Sequence, residues 1–244
     1  MTKALLLLLV VLAATASAQQ PAAQPPTAQP SAVTPTVYSA RTELFAEWRP
    51  FVVGQATRLT AHLTHTGERF RAFEEGKVTL TFTVGDVKVS AIADAPERAG
   101  VFRLNITPTK DGAGRMVIDV ATDAGTEHFT VNDVPVYATV ATAAAAEKPA
   151  KAGLIGFAKE RSWSEDFATA PVTSRFQGRM LLVPSSAVVH DAASTYLYVQ
   201  HTPERFELRQ VTVGQTFGSL LQVTNGLRDG ERVVIRGMDS MPRK

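Results

Sequence analysis

Apolar and polar side chains alternate along residues 37–140. In residues 78–84, four apolar side chains alternate with three threonines, which is the period of two typical of a half-buried strand. Gly85-Asp86 follows and predicts a two-residue turn into a second strand that begins at Val87. The alternation recurs at several further segments, at residues 37–46, 57–64, 102–106, 116–120, 129–131 and 134–138. About eight short strands with turn signals favour an immunoglobulin-like β-sandwich, with a closed barrel as the main alternative.

A second, smaller β region is predicted over residues 178–244. Its candidate strands lie at residues 180–183, 196–201, 206–213, 220–223 and 232–236. Asn225-Gly226 and Asp229-Gly230 are turn dipeptides between them. A domain of about 65 residues is marginal unless it borrows strands from elsewhere. The predicted fold is therefore mainly β: an immunoglobulin-like β-sandwich, a short helix and a smaller β domain.

The remaining segments predict export and connection. Lys3, the apolar run 4–14 and Ala16-Ser17-Ala18 predict a signal peptide over residues 1–18. The run is shorter than the roughly 20 residues that cross a bilayer, so we expect a periplasmic protein without a retained transmembrane helix. Residues 19–36 are rich in Pro and Gln and predict a disordered tether. The other predicted boundaries are 37–140 for the sandwich, 141–177 for an Ala-rich linker with a helix at 152–163, and 178–244 for the C-terminal β domain.

Cysteine content and charge exclude several classes of function. The chain has no Cys, so disulfides, thiolate nucleophiles, Cys-based zinc sites and a lipoprotein anchor are excluded. The formal net charge is +2, and the basic residues are spread along the chain. We therefore expect no nucleic-acid partner.

Histidines and methionines are the weak candidates for a metal site. His62 and His65 lie three residues apart in one predicted strand, which places them on opposite faces rather than around one ion. Met238 and Met241 carry soft thioethers that suit Cu(I) or Ag(I). Core filling or a place in the C-terminal tail is the more ordinary role for these two side chains.

No nucleophile motif is present. Ser185-Ser186 precede His190 by a few residues, but there is no Gly-x-Ser-x-Gly elbow around either serine. We therefore assign no catalytic residue, no cofactor and no metal ligand, and we expect a protein that is not an enzyme.

Three blocks of sequence follow one another in a distinctive order. The first is TELFAE at 42–47, FVVGQ at 51–55, LTAHLT at 59–64 and FEEGKV at 73–78; the second is FAKERSW at 157–163 and FATAPV at 167–172; the third is MLLVPSSAVV at 180–189, YLYV at 196–199, RFELRQVTVG at 205–214 and NGLRDGERVVIRG at 225–237. In this order they resemble the periplasmic adaptor subunits, or HlyD-type membrane fusion proteins, of heavy-metal RND efflux pumps. The third block resembles the membrane-proximal domain of such adaptors.

The chain departs from this family between the second and third blocks. There the family carries a lipoyl domain, a long α-helical hairpin and most of a β-barrel, whereas only residues 173–179 separate the blocks here. The resemblance implies a shortened adaptor whose partners are the inner-membrane RND pump subunit and a full-length adaptor. Contact with the outer-membrane channel is not expected without the hairpin. The alternative function is a free-standing periplasmic β-sandwich that binds a ligand or a metal.

Overall fold

The computed structural model describes residues 31–149, 151–175, 180–191 and 194–242. The predicted signal peptide and residues 19–30 of the predicted tether lie outside the described residues. Residues 31–36, the rest of that tether, run along the edge of the first domain. The backbone N–H of Val33 donates to the carbonyl of Trp48 at 2.8 Å, and the N–H of Trp48 donates to the carbonyl of Val33 at 3.1 Å.

Ten strands build the first domain, and their bounds follow the alternation in the sequence. They are β1 (Thr36–Tyr38), β2 (Thr42–Trp48), β3 (Phe51–Val52), β4 (Thr57–His65), β5 (Arg71–Ala72), β6 (Lys77–Val84), β7 (Val87–Ala93), β8 (Val101–Ile106), β9 (Gly112–Thr122) and β10 (Gly125–Tyr137). The single strand predicted at 37–46 is instead two. Ser39 forms the turn between them, since its hydroxyl accepts from the backbone N–H of Arg41 and Thr42 at 3.2 and 3.0 Å.

These strands form two sheets around one core, as predicted. The first sheet has the order β1-β2-β4-β5 with β8 also on β4, and the second has the order β3-β10-β9-β6-β7. Short β3 pairs in parallel with β10, whereas the other pairs are antiparallel. The split of the strands between two sheets is that of an immunoglobulin-like sandwich. Apolar side chains from both sheets share the core, among them Leu59, Phe82, Phe102 and Ile118.

Within residues 151–175, 180–191 and 194–242, nine further strands form the second domain. They are β11 (Ile155–Gly156), β12 (Ala168–Pro171), β13 (Thr173–Arg175), β14 (Met180–Pro184), β15 (Val189–Asp191), β16 (Ser194–Thr202), β17 (Arg205–Phe217), β18 (Leu220–Asn225) and β19 (Arg232–Arg236). The main path runs β12-β19-β16-β17-β18-β14-β13. Its two end strands are consecutive in the chain and are separated only by Val172, which is 5% exposed in the domain core. The sheet therefore curls back on itself, and we call this domain the barrel.

The small barrel borrows strands from the segment before it. β11 pairs with β17, β12 with β19 and β13 with β14. All three lie in residues 141–177, the segment predicted as a linker. They supply strand partners for β17, β19 and β14, which residues 178–244 do not provide by themselves.

The predicted helix at 152–163 is wrong over most of its length. Gly153 has φ of 77°, a left-handed conformation that interrupts a helix, and Ile155 pairs with Phe206 as a strand. Only α2 (Arg161–Ser164) is helical there. A helix that the sequence did not predict, α1 (Val140–Ala145), follows the sandwich and begins at a capping box between Thr139 and Thr142.

Candidate docking domain and interdomain contact

A buried ion pair joins the sandwich to the barrel. Glu43 lies in β2 of the sandwich, and Lys159 lies between β11 and α2. The Lys159 Nζ contacts Glu43 Oε1, and the two side chains are 1% and 0% exposed. Tyr38 donates its hydroxyl to Glu43 Oε2 at 2.7 Å, and Thr64 donates to Oε1 at 3.4 Å. The buried carboxylate is therefore fully surrounded by donors, as such a group requires.

Aromatic rings enclose the ammonium of Lys159. Its Nζ lies 5.0 Å from the ring centre of Phe70 and 5.7 Å from that of Trp163, distances at which a ring attracts a cation. Burial lowers the pKa of Lys159, and the neighbouring Glu43 carboxylate opposes that shift. The Trp163 indole N–H donates to Thr64 Oγ1 at 2.9 Å, so the ring is itself fixed to the sandwich.

Tyr38 connects the Glu43 carboxylate to the sheet of the barrel. Its hydroxyl accepts from Gln200 Nε2 at 2.8 Å, and the Arg232 guanidinium carbon lies 4.0 Å from its ring centre. Burial, and secondly the Glu43 carboxylate, raise the pKa of Tyr38 well above its usual range. The phenol therefore stays protonated and donates to Glu43 while it accepts from the barrel.

Gly100 lets the barrel segment approach the sandwich closely. Its φ is 77°, and a Cβ at this position would lie 2.4 Å from Trp163 Cη2. A backbone bond from Phe70 N to Phe167 O, at 2.8 Å, reinforces the same approach. The arrangement holds the two domains in one orientation.

A charged network covers one side of the barrel. Glu207 contacts Arg209 at 2.7 Å, His201 at 2.8 Å and Lys151 at 2.9 Å. Hydrogen bonds from Arg209 first, and then from Lys151, hold the pKa of Glu207 well below its usual range. Arg209 also binds Glu231 through Nη1 at 2.8 Å. The network ties residue 151 to β17.

Among the barrel residues that the structure describes, the long β17–β18 hairpin carries the most exposed aromatic ring. Phe217, at the end of β17, is 42% exposed. It pairs with Leu220 across a turn in which Gly218 has φ of 63°. One arm of the hairpin is held in the sheet, since β14 pairs with residues 220–223 of β18. This combination presents an apolar side chain on a rigid support.

A family model for the C-terminal permuted SH3 domain of RND membrane fusion proteins matches residues 180–240. Residues 180–240 are thus of the type found at the C-terminus of RND membrane fusion proteins. The resemblance predicted from the third sequence block is thereby confirmed. The match covers β14 to β19. Residues 155–175 lie outside it and add the three strands that complete the barrel.

Comparison with individual proteins gives partial likenesses. The chain is similar to the efflux pump periplasmic linker BepF of Brucella suis biovar 1 (strain 1330), with 32% identity over 72 residues, which are 30% of this chain and 18% of BepF. The chain thus matches about a fifth of that protein's length. Distant structural likenesses are ZneB from Cupriavidus metallidurans (TM-score 0.23, 15% identity, 75% of this chain and 41% of ZneB) and a marsupial T cell receptor (TM-score 0.26, 10% identity, 78% and 86%).

The two histidine candidates in β4 differ in burial: His62 is buried and His65 is exposed. His62 is 3% exposed, and its Nε2 lies 3.3 Å from Glu47 Oε1. His65 lies on the exposed side and stacks on Phe73, with ring centres 3.7 Å apart. Burial lowers the pKa of His65.

The methionine candidates pack into the core of the barrel. Met241 is 3% exposed, and Met238 is partly buried against the same cluster. In the part of the chain that the structure describes, no three His, Asp or Glu side chains gather as a set of metal ligands. Nor does any helix of these residues have the length and apolar character needed to cross a membrane.

The residues that join the domains were not found by sequence reasoning. Glu43 and Lys159 lie 116 positions apart in the chain, and each stands between one polar and one apolar residue. The only sequence signal is that both fall inside the blocks that resemble the adaptor family. Pairing them requires knowledge of how the two domains pack.

Proposed function

We propose that the chain is a periplasmic, adaptor-like subunit of an RND-type efflux system and that it acts by docking, without bond-making. The match of residues 180–240 to the C-terminal domain of RND membrane fusion proteins carries this proposal. The buried contact with the sandwich supports a rigid docking unit. The partners are an inner-membrane RND pump subunit and a full-length adaptor.

The β17–β18 hairpin is the proposed contact with the pump subunit. Phe217 is 42% exposed, and aromatic side chains of this kind are enriched among the residues that dominate protein interfaces. The hairpin is held by strand pairing with β14, so little conformational entropy is lost when it binds.

Co-purification from cell envelopes tests the docking function. In a strain that expresses the chain, an RND pump subunit and a full-length adaptor, affinity capture of the chain should recover the pump subunit. Phe217→Ser should weaken this binding by about 30-fold, which corresponds to the roughly 2 kcal/mol of a hot-spot side chain. Val140→Ser, at a residue that is 50% exposed elsewhere, should leave binding unchanged. Recovery of neither partner by the wild-type chain contradicts the proposal.

Heavy-metal cations are the proposed substrates of the whole system, on the basis of the three sequence blocks. Deletion of the gene should increase sensitivity to at least one of Zn(II), Cu(I), Ag(I) and Co(II). Calorimetry of the purified chain with the same cations distinguishes the adaptor function from that of a free-standing metal-binding module. Tight stoichiometric binding without a pump partner would instead support a free-standing metal-binding module.

A further inference from the structure

A cleft of about 400 Å³ lies where the loop between β4 and β5 meets the end of β19. Three arginines line it: Arg69 and Arg71 from the sandwich, and Arg236 from the barrel. All three residues are exposed, so a ligand can reach them from solvent. None of them belongs to the β17–β18 hairpin, and the cleft is therefore a separate candidate for binding.

Two backbone hydrogen bonds hold the loop that carries the two sandwich arginines. At its start, the N–H of Thr66 donates to the carbonyl of Arg41 at 2.7 Å, and at its end the N–H of Phe70 donates to the carbonyl of Phe167 at 2.8 Å. Phe70 stands between the two arginines in the sequence and is 1% exposed in the aromatic cluster of the barrel. The backbone of this loop is thus largely fixed before a ligand binds, which lowers the entropy lost on binding.

Several hydrogen-bond donors of the cleft have no acceptor in the protein. The guanidinium groups of Arg69 and Arg71 make neither a hydrogen bond nor an ion pair with any residue that the structure describes. The backbone N–H groups of residues 67–69, which also line the cleft, have no acceptor in that part of the chain either. Arg236 binds Asp166 through Nη1 alone, at 3.3 and 3.2 Å. Guanidinium and amide donors from both domains are therefore available in one cleft.

Carboxylates near the cleft offset part of its positive charge. Glu68 lines the cleft, and Asp166 binds one of the three lining arginines. Arg41 and Glu127 lie nearby, since both interact electrostatically with His65, a further lining residue. Four arginines thus accompany three carboxylates, an excess of only one positive charge. A ligand would be recognised by hydrogen bonds at close range more than by long-range attraction.

We propose that this cleft binds a phosphate group. The planar guanidinium donates two parallel hydrogen bonds to a phosphate, and it does so better than an ammonium group. Successive backbone N–H groups of a loop are the other kind of donor found in phosphate sites. A carboxylate ligand has only two oxygens and would leave more of these donors unsatisfied. Free inorganic phosphate and the headgroup of a phospholipid both present the required group.

Nuclear magnetic resonance of the purified chain, titrated with inorganic phosphate, tests the cleft directly. The amide resonances of residues 67–69 should shift and saturate. Arg69→Gln/Arg71→Gln removes two charged donors at exposed positions and should weaken binding by about tenfold or more. Gly67→Glu brings a carboxylate into the cleft, where a Cβ has open space around it, and should abolish the shifts. Glu68→Gln removes a competing carboxylate and should strengthen binding.

Arg115→Gln is the matched control, since Arg115 is an exposed arginine of β9 on the second sheet. It removes the same charge and should bind phosphate like the wild type. Saturable shifts at residues 67–69 that the double arginine variant weakens support the proposal. Absence of these shifts, a double variant that binds like the wild type, or an equal loss in Arg115→Gln would overturn it.

Co-sedimentation with vesicles of phosphatidylcholine, with and without phosphatidic acid, identifies the source of the phosphate group. Retention only on vesicles that contain phosphatidic acid, lost in Arg69→Gln/Arg71→Gln, identifies a lipid headgroup. Phosphate-dependent shifts without retention identify the free anion. The inference does not rest on pump binding, because Phe217→Ser alters the hairpin and leaves every lining residue of the cleft in place.

Discussion

Replacement of Lys159 by methionine should destabilise the protein by about 3–5 kcal/mol. The side chains of Lys159 and Glu43 are 1% and 0% exposed, so the variant leaves a carboxylate buried without a counter-charge. Methionine fills nearly the same volume, which keeps any cavity small. The Tyr38 and Thr64 hydroxyls still donate to the carboxylate, but they do not replace the lost positive charge.

Arg98→Met is a control that differs chiefly in burial. Arg98 Nη2 binds Glu160 Oε1 at 2.6 Å between the same two domains, with side chains 56% and 38% exposed. A pair so accessible to water should contribute less than about 1 kcal/mol. The contrast between Lys159→Met and Arg98→Met isolates the effect of desolvation.

Urea unfolding provides the measurement, because the two tryptophans report on different places. Trp48 is 3% exposed in the sandwich core, and Trp163 lies at the contact between the domains. Both signals should change in one transition in the wild type. In the double variant Glu43→Gln/Lys159→Met, no buried charge remains and Tyr38 keeps an acceptor, so we expect most of the lost stability to return. The reasoning is refuted if Lys159→Met lowers the free energy of unfolding no more than Arg98→Met does. It is also refuted if the effects of Glu43→Gln and Lys159→Met on that free energy simply add in the double variant.

The remaining predictions concern Gly100 and Glu207. Gly100→Ala should lower the free energy of unfolding, measured in urea, by several kcal/mol, since the new Cβ would collide with Trp163. Gly54→Ala is the control: Gly54 has φ of 73° with open space around it, so the loss should be only about 1–2 kcal/mol for the left-handed backbone. Equal losses would contradict a close approach at Gly100. The pKa of Glu207 is lowered in the folded state, so this group stabilises the fold above its unfolded pKa of about 4.5 and the contribution is lost as the pH falls further. Glu207→Gln should therefore be modestly less stable than the wild type at pH 7, with a difference that narrows in acid, and a pH-independent difference in melting temperature would contradict this reasoning.

The strands were predictable because their signals are local. The apolar alternation in residues 78–84 and the turn at Gly85 correspond to β6 and β7, and Gly85 has φ of 59° as a tight turn requires. The segment predicted at 232–236 coincides with β19. Each signal depends on side chains only a few residues apart, and the pleat of a strand fixes where they point.

Helices outside the sheets were predicted poorly because short helices depend on tertiary contacts. Isolated helices of a few residues are unstable in water. The six-residue α1 persists because Thr139 caps it and because Ala143, 2% exposed, packs on the sandwich. The helix predicted at 152–163 does not form at Ile155, because strand pairing of Ile155 with Phe206 prevails over the local helical preference.

The sequence analysis treats residues 141–177 as an Ala-rich linker with a short helix between two domains, and this segment does more than connect them. Residues 155–175 pair with the barrel, while Lys159 and Trp163 in the same segment contact the sandwich. One stretch of chain therefore completes one domain and fixes it to the other. Loss of Lys159 should accordingly uncouple the domains before either one unfolds, so that Trp163 fluorescence changes at lower urea concentration than Trp48 fluorescence in Lys159→Met. Coincident changes in that variant would show that the domains fold as one unit without the ion pair.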